Sequence, residues 1–219
     1  VDDDPGSGED GQGGSDDHRD DATGPPVRAG PRMSAASAPA PGRNGPAIIV
    51  MGVAGSGKTS VGGALSERLG FPFRDGDEFH PAANVAKMSS GVPLTDEDRW
   101  PWLDAIGKAV RDAGDAGIIV ACSALRRVYR DRLRAAAGRP IVFVHLTGSR
   151  ALLAERLAAR KGHFMPPSLL DSQLATLEPP GPGERALAVS VEPPVAAIAD
   201  EVVAKLPAFA AAGDATPAA

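Results

Sequence analysis

The sequence predicts an α/β fold, a three-layer arrangement in which a five-stranded parallel sheet is covered by helices on both faces. Two observations carry this reading. From Pro46 onward, short apolar runs alternate with helical stretches, the pattern of parallel strands joined by right-handed crossovers. The first run, Ala47 to Met51, passes directly into Gly52–Thr59, GVAGSGKT, which fits the phosphate-loop pattern G-x-x-x-x-G-K-[ST] that stands between a strand and a helix.

The strands are predicted at residues 47–51 (AIIVM), 71–75 (FPFRD), 117–122 (GIIVAC), 140–146 (PIVFVHL) and 186–191 (ALAVSV). They are mostly near-continuous apolar runs rather than alternating ones, as strands buried on both faces require. Helices are predicted at 58–69, 81–89, 99–113, 124–136, 149–160, 168–177 and 194–205. In the first, Val61, Leu65 and Leu69 recur at i, i+4 and i+8, one face of a helix. Before the third, Thr95 or Asp96 caps, acids fill the first turn, and Trp102, Leu103 and Ile106 form the apolar face. The domain is expected to span 47–206, followed by a flexible Ala-rich terminus at 207–219. Residues 1–46 are rich in Asp, Gly, Pro, Ser and Ala without apolar periodicity, so they are read as a disordered, solvated tail. A functional acidic tail, or a translation start at Met33, are the alternatives.

Composition bounds the function. The chain is 42% hydrophobic but only 4% aromatic, so its core is expected from Ala, Val, Leu and Ile. Of the 28 acids and 23 bases, nine acids and four bases lie in residues 1–46, leaving nineteen of each. A nucleic-acid partner needs a basic excess or stripe, and this balance offers none. The single cysteine, Cys122, excludes an internal disulfide and suits a reducing cytoplasm. No apolar stretch approaches the ~20 residues of a membrane span.

The loop implies a nucleoside triphosphate. Its glycines let backbone N–H groups approach phosphate oxygens, and the following helix aims its positive end at them. Lys58 would reach the β and γ phosphates, and the Thr59 hydroxyl would ligate Mg²⁺. Three further segments could carry chemistry. Asp75 and Asp77 flank Gly76 in RDGDEFHP; Asp77 is the candidate base and Asp75 the metal-side carboxylate, against the alternative of a plain Asx turn. Arg99 is of the type that clamps a carboxylate through two bonds, although its surroundings also read as an ordinary helix start. Arg156, Arg160, Lys161 and His163 gather in ERLAARKGHF, either complementing a helix C-terminus or forming a closing, Arg-rich lid.

GVAGSGKT, DGDEFHP, NVAKMSSGVPLTDEDRWPWL, CSALRRVYRDRLR and LAARKGHFM, in this order and spacing, resemble the gluconate kinases across residues 47–206. CSAL and ARKGHF separate that family from the related shikimate and adenylate kinases. The resemblance implies a P-loop kinase fold and a homodimer that transfers the γ phosphate of ATP, with Mg²⁺, to the 6-hydroxyl of D-gluconate. It implies that Gly52, Val53, Ala54, Gly55, Ser56, Gly57, Lys58, Thr59 and Ser60 hold the nucleotide, with Arg156 on adenine and Arg160 at the phosphates. Lys58, Asp77 and Arg160 would be catalytic, and Thr59 and Asp75 would serve the metal. Asp77, His80, Lys87, Arg99, Ser123, Arg127, Lys161 and His163 would face the sugar acid. The sequence departs from the family pattern in MPPSLLDSQ and EPPGPGER, both proline-rich. Another acceptor, shikimate or a nucleotide, is the runner-up. A nucleotide-dependent regulatory module is disfavoured, because no N-K-x-D guanine signature occurs.

Overall fold

The computed structural model describes residues 45–159 and 167–211. Strands β1 (Gly45–Met51), β2 (Phe73–Asp75), β3 (Ala116–Ala121), β4 (Ile141–Thr147) and β5 (Ala186–Ser190) form one sheet in the order β2-β3-β1-β4-β5, every pair parallel. The helices are α1 (Lys58–Leu69), α2 (Ala82–Ser89), α3 (Asp96–Ala113), α4 (Arg127–Ala137), α5 (Arg150–Ala159), α6 (Pro167–Thr176) and α7 (Val195–Ala211), and a 3₁₀ turn spans Gly76–Phe79.

Alternation along β1 builds two cores. Ile48 and Val50 pack with Val61 and Leu65 of α1 and with Ile198 and Val202 of α7. Ala47, Ile49 and Met51 point the other way, onto Leu103, Ile106 and Val110 of α3 and Leu133 of α4. Each large aliphatic side chain so buried contributes about 1.5–3 kcal/mol. Cys122 lies in the second core, and burial pushes its thiol up to about 12. No described helix is long and apolar enough to cross a membrane.

Among the boundaries that differ from expectation, four have a clear local reason. β1 begins at Gly45 rather than Ala47, because Gly45 pairs with Ala116 and donates its N–H to Asp115 O at 2.9 Å. A Cβ on Gly45 would sit 2.7 Å from Gly117 N, so here glycine marks close strand approach rather than a turn. α3 starts at Asp96, inside a capping box in which Thr95 and Asp98 satisfy each other's backbone N–H. α4 starts at Arg127, not Ala124, since Ala124 takes φ +43° and interrupts any helix there. α7 passes Lys205 and Pro207 to Ala211, with Leu206 buried and Phe209 O accepting from Arg185 Nη1 at 3.0 Å.

The proline-rich EPPGPGER segment is tied to α4 by a buried pair. Arg130 Nε and Nη2 bond Glu184 Oε2 and Oε1 at 2.7 and 2.9 Å, and Arg130 Nη1 donates to the carbonyls of Ala124, Leu125 and Glu178 at 3.0–3.3 Å. Arg134 Nη2 and the Gly181 N–H add bonds to Glu184, each at 3.0 Å. Burial alone would raise the Glu184 carboxyl, but the hydrogen bonds outweigh it and bring it from 4.5 to about 2.

A buried ion pair that loses one partner leaves an uncompensated charge, at a cost of about 3–5 kcal/mol. Glu184→Gln is therefore expected to lower the unfolding free energy at pH 7 by that order. Because the folded-state value is depressed, the contribution of Glu184 is complete above pH 4.5 and vanishes as pH falls toward 2. Urea melts of wild type and variant at a series of pH values should converge across that window.

Candidate active site

The sheet order reverses at β1, whose neighbours β3 and β4 lead the chain to opposite sides, so a crevice opens at the carboxyl ends of the strands. The loop Gly52–Gly57 fills its floor. Gly52, Gly55 and Gly57 have φ of +142°, +78° and +85°. A Cβ would meet Leu146 O and Ser56 Oγ at 2.9 Å from Gly52, and Leu153 O at 2.8 Å from Gly55, so torsion and space both demand glycine there. Gly57 caps α1 with no side-chain bond to the first-turn amides, which leaves those donors for an anion. Ser56 is buried with its Oγ unpartnered among the described residues. A triphosphate fits this cradle: backbone donors, a spare hydroxyl and no side chain in the way. Val53 is buried, while Ser60 is exposed in the first turn of α1. The Ala54 N–H is already taken by Gln173 Oε1 of α6 at 2.6 Å. Lys58 folds back over the loop, its Nζ donating to Val53 O at 3.0 Å.

Thr59 joins this loop to the end of β2, its Oγ1 donating to Asp75 Oδ2 at 2.9 Å. The other Asp75 oxygen accepts from the Asp77 N–H at 3.1 Å, while Glu78 Oε1 accepts from the Asp75 N–H. Asp-Gly-Asp is thus a capped turn, yet the cap consumes one carboxylate oxygen and leaves the second on Thr59. Gly76 is pressed against β3, since a Cβ would lie 2.3 Å from Ala121 O. The Asp77 carboxylate accepts no hydrogen bond among the described residues. No group of three or more His, Cys, Asp or Glu among those residues could hold a metal ion. The hydroxyl–carboxylate pair of Thr59 and Asp75 suits Mg²⁺, which takes one or two protein oxygens and completes its shell with phosphates and water.

His80 follows the turn and stacks on Trp102, ring centroids 4.3 Å apart and planes at 13°. Burial, aided by Arg99 and opposed by Asp77, holds its pKa below 6.5, so His80 is mostly neutral at pH 7. Trp102 Nε1 donates to Gly76 O at 2.7 Å. Buried Asn84 spans from His80 Nδ1 (3.4 Å) to Asp98 O (2.7 Å). Lys87 is committed to both oxygens of Asp98 at 2.7 and 2.8 Å, a bond that draws the Asp98 carboxyl down. Arg99 meets Asp96 only at 3.5 Å. Asp96 also accepts from Tyr129 OH at 2.5 Å and Arg126 Nη1 at 2.6 Å, which lower its pKa in that order.

Ser123 anchors the loop's start, its carbonyl accepting from the Gly52 N–H at 3.3 Å. Arg127 is not brought into the crevice. The chain is extended at Arg126, and the helix that begins one residue later turns Arg127 outward to Asp131 at 3.7 Å, 63% exposed. Arg126 points inward in its stead. Arg156 Nη2 donates to Val191 O, just past β5, at 2.6 Å. Arg160, Lys161 and His163 lie outside the described residues. Sequence reasoning missed Gln173, Asn84, Arg126 and Tyr129 as site neighbours. Only the inward apolar register of α3 hinted at Trp102.

A family profile described as an AAA domain matches residues 48–180. The chain is 50% identical to a gluconokinase of Gluconobacter oxydans (strain 621H), over 71% of this chain and 88% of that one. It is 46% identical to the thermosensitive gluconokinase of Escherichia coli (strain K12), over 64% and 76% of the two chains. The crystal structure of a gluconokinase from Sinorhizobium meliloti 1021 superposes with a TM-score of 0.70 at 51% identity, covering 77% of this chain and 95% of its own. Shikimate kinase from Aquifex aeolicus, at 17% identity and a TM-score of 0.50, shares the fold alone.

Trp102→Phe keeps the stack on His80 but removes the donor to Gly76 O. Leaving that buried carbonyl unpaired is expected to cost about 1–3 kcal/mol, read from urea denaturation. Asn84→Ala, which frees His80, is expected to shift the His80 pKa measured by NMR titration.

Proposed function

The chain belongs to the gluconokinase family, a P-loop kinase that phosphorylates gluconate, and from that premise we propose how its own residues divide the work. The donor is ATP with Mg²⁺, held by the loop from Gly52 to Ser60, with Lys58 leaving Val53 O for the β and γ phosphates. Thr59 and Asp75 would hold the Mg²⁺, which when bound would neutralise phosphate charge. Asp77 accepts the proton of the gluconate 6-hydroxyl as its oxygen bonds to the γ phosphorus, and the bond from that phosphorus to the ADP oxygen breaks. His80, neutral and stacked, offers the acceptor a hydrogen bond, while Arg99 engages its carboxylate. Arg156 sits at the adenine end.

The observation that carries this reading is the Thr59–Asp75 bond. It joins the triphosphate loop to the two-carboxylate turn, so donor and acceptor groups share one rigid unit. A hydrolase or a switch has no use for a carboxylate, Asp77, whose charge acts with that of Arg99 on His80. A cytoplasmic homodimer belongs to the same reading; a single thiol without a disulfide partner suits the compartment, and light scattering tests the stoichiometry.

Coupled ADP release over a panel of D-gluconate, shikimate and nucleoside monophosphates should show turnover with gluconate far above the water background. Turnover with another acceptor instead would retire the assignment. Lys58→Ala and Asp77→Asn are each expected to lower kcat by about 10²-fold or more. Arg99→Ala should chiefly raise KM for gluconate. Because the phosphoryl transition state is loose, Asp77→Asn should fall short of abolishing turnover.

A further inference from the structure

A cluster at the start of α3 and α4 lies beside the acceptor turn. Arg99 is close enough to His80 to depress its proton affinity. The Arg99 and Arg126 guanidinium carbons lie 5.5 and 5.4 Å from the centroid of the Tyr129 ring. Trp100 packs edge-on to the same ring at 5.8 Å. Asp96 reaches into the cluster with one oxygen on Tyr129 OH and the other on Arg126 Nη1.

Few of the available donors are used. A guanidinium presents five N–H groups in a plane. Arg99 gives one of them to Asp96 at the limiting distance of 3.5 Å. Arg126 gives one to Asp96 and meets the Tyr129 hydroxyl, while its Nε faces Glu178 at 3.6 Å, an ion pair without hydrogen-bond geometry. The side chains of Arg99, Asp96 and Arg126 are 29%, 32% and 37% exposed, open on one side. An ion pair made only to fasten α3 to α4 would match its donors to acceptors, as Arg132 does with Asp104 nearby through two bonds of 2.6 Å.

We propose that Arg99 and Arg126, spread on the Tyr129 ring and spaced by Asp96, form a receptor for one carboxylate and give this kinase its preference for a sugar acid over a neutral polyol. The proposal rests on the gluconate reading above and names the part of that site which recognises the acid end. The planar forks supply paired N–H···O bonds to a carboxylate. Asp96 and Tyr129 are positioning residues: the carboxylate of Asp96 holds the two cations together against their repulsion, and the ring fixes their planes. A polyol in the same place leaves the forks unmatched, which is how a site built for hydrogen bonding rejects an analogue.

The test is steady-state kinetics of the full chain with D-gluconate and with D-glucitol, the uncharged six-carbon polyol that carries the same terminal hydroxymethyl group. Arg126→Met is expected to raise KM for gluconate by about 30- to 100-fold while KM for ATP stays within about twofold. The preference for gluconate over glucitol should shrink by a similar factor. Arg126→Lys, which keeps the charge and loses the fork, should recover part of it, and Tyr129→Phe should shift it by less than about fivefold. Equal losses on both acceptors, a parallel rise in KM for ATP, or an unchanged preference in Arg126→Met would each overturn the proposal while leaving gluconate phosphorylation intact. A wild type that phosphorylates no sugar acid overturns the gluconate reading as well, so the two failures are told apart.

Discussion

The arrangement of the crevice depends on one buried cation. Arg130 has no exposed surface, and its guanidinium makes five hydrogen bonds, to a carboxylate from the Pro-rich segment and to three carbonyls from two different loops. Those carbonyls leave the sheet where no strand or helix can satisfy them, and water is excluded. A guanidinium meets that need because it donates in several directions while a single paired carboxylate balances its charge. The residue beside it, Ala124, is the only described non-glycine with positive φ, a conformation worth roughly 1–3 kcal/mol of strain. Arg130 over-determines it, and past that kink Arg126 turns to Asp96 and Arg127 to Asp131.

A second constraint works at the other strand end. Asp75 has two oxygens with two duties: one closes the turn that presents Asp77, and the other faces Thr59 of the phosphate loop. The turn and the link to the phosphate loop are made by the same carboxylate, so the Asx-turn reading and the proposed metal-side reading of Asp75 are compatible. Gly76 lets the turn sit against the β3 backbone, and Trp102 ties it to α3. The acceptor groups therefore rest on strand ends and helix starts, with little freedom to drift.

What could be read from the chain follows the range of the forces involved. The five strands, the loop and α1 are written in contiguous apolar runs and glycine spacing, and the structure has them within a few residues of where periodicity puts them. The discrepancies arise where a partner distant in sequence decides. Gly45-Pro46 looks like turn punctuation, but Ala116 makes it strand. Ala124 looks helical, but Arg130 and Glu184 hold it in the left-handed region. Arg126 and Arg127 are indistinguishable by type, and only the register of α4 against Asp96 separates them. Gln173, 119 residues from the Ala54 amide it accepts from, gives no local signal at all.

Cys122 follows β3 directly, within reach of the charges of Lys58, Asp75 and Asp77. Its thiol is nevertheless fully enclosed, and a proton affinity near 12 leaves almost no thiolate at physiological pH. Thiolate is the nucleophile that attacks peroxides and alkylating agents. The protein thus carries a sulfur next to its phosphate loop that is chemically silent while the fold is intact. Reaction of that sulfur with a thiol reagent reports the opening of the sheet at the end of β3, a natural gauge of whether the crevice is assembled.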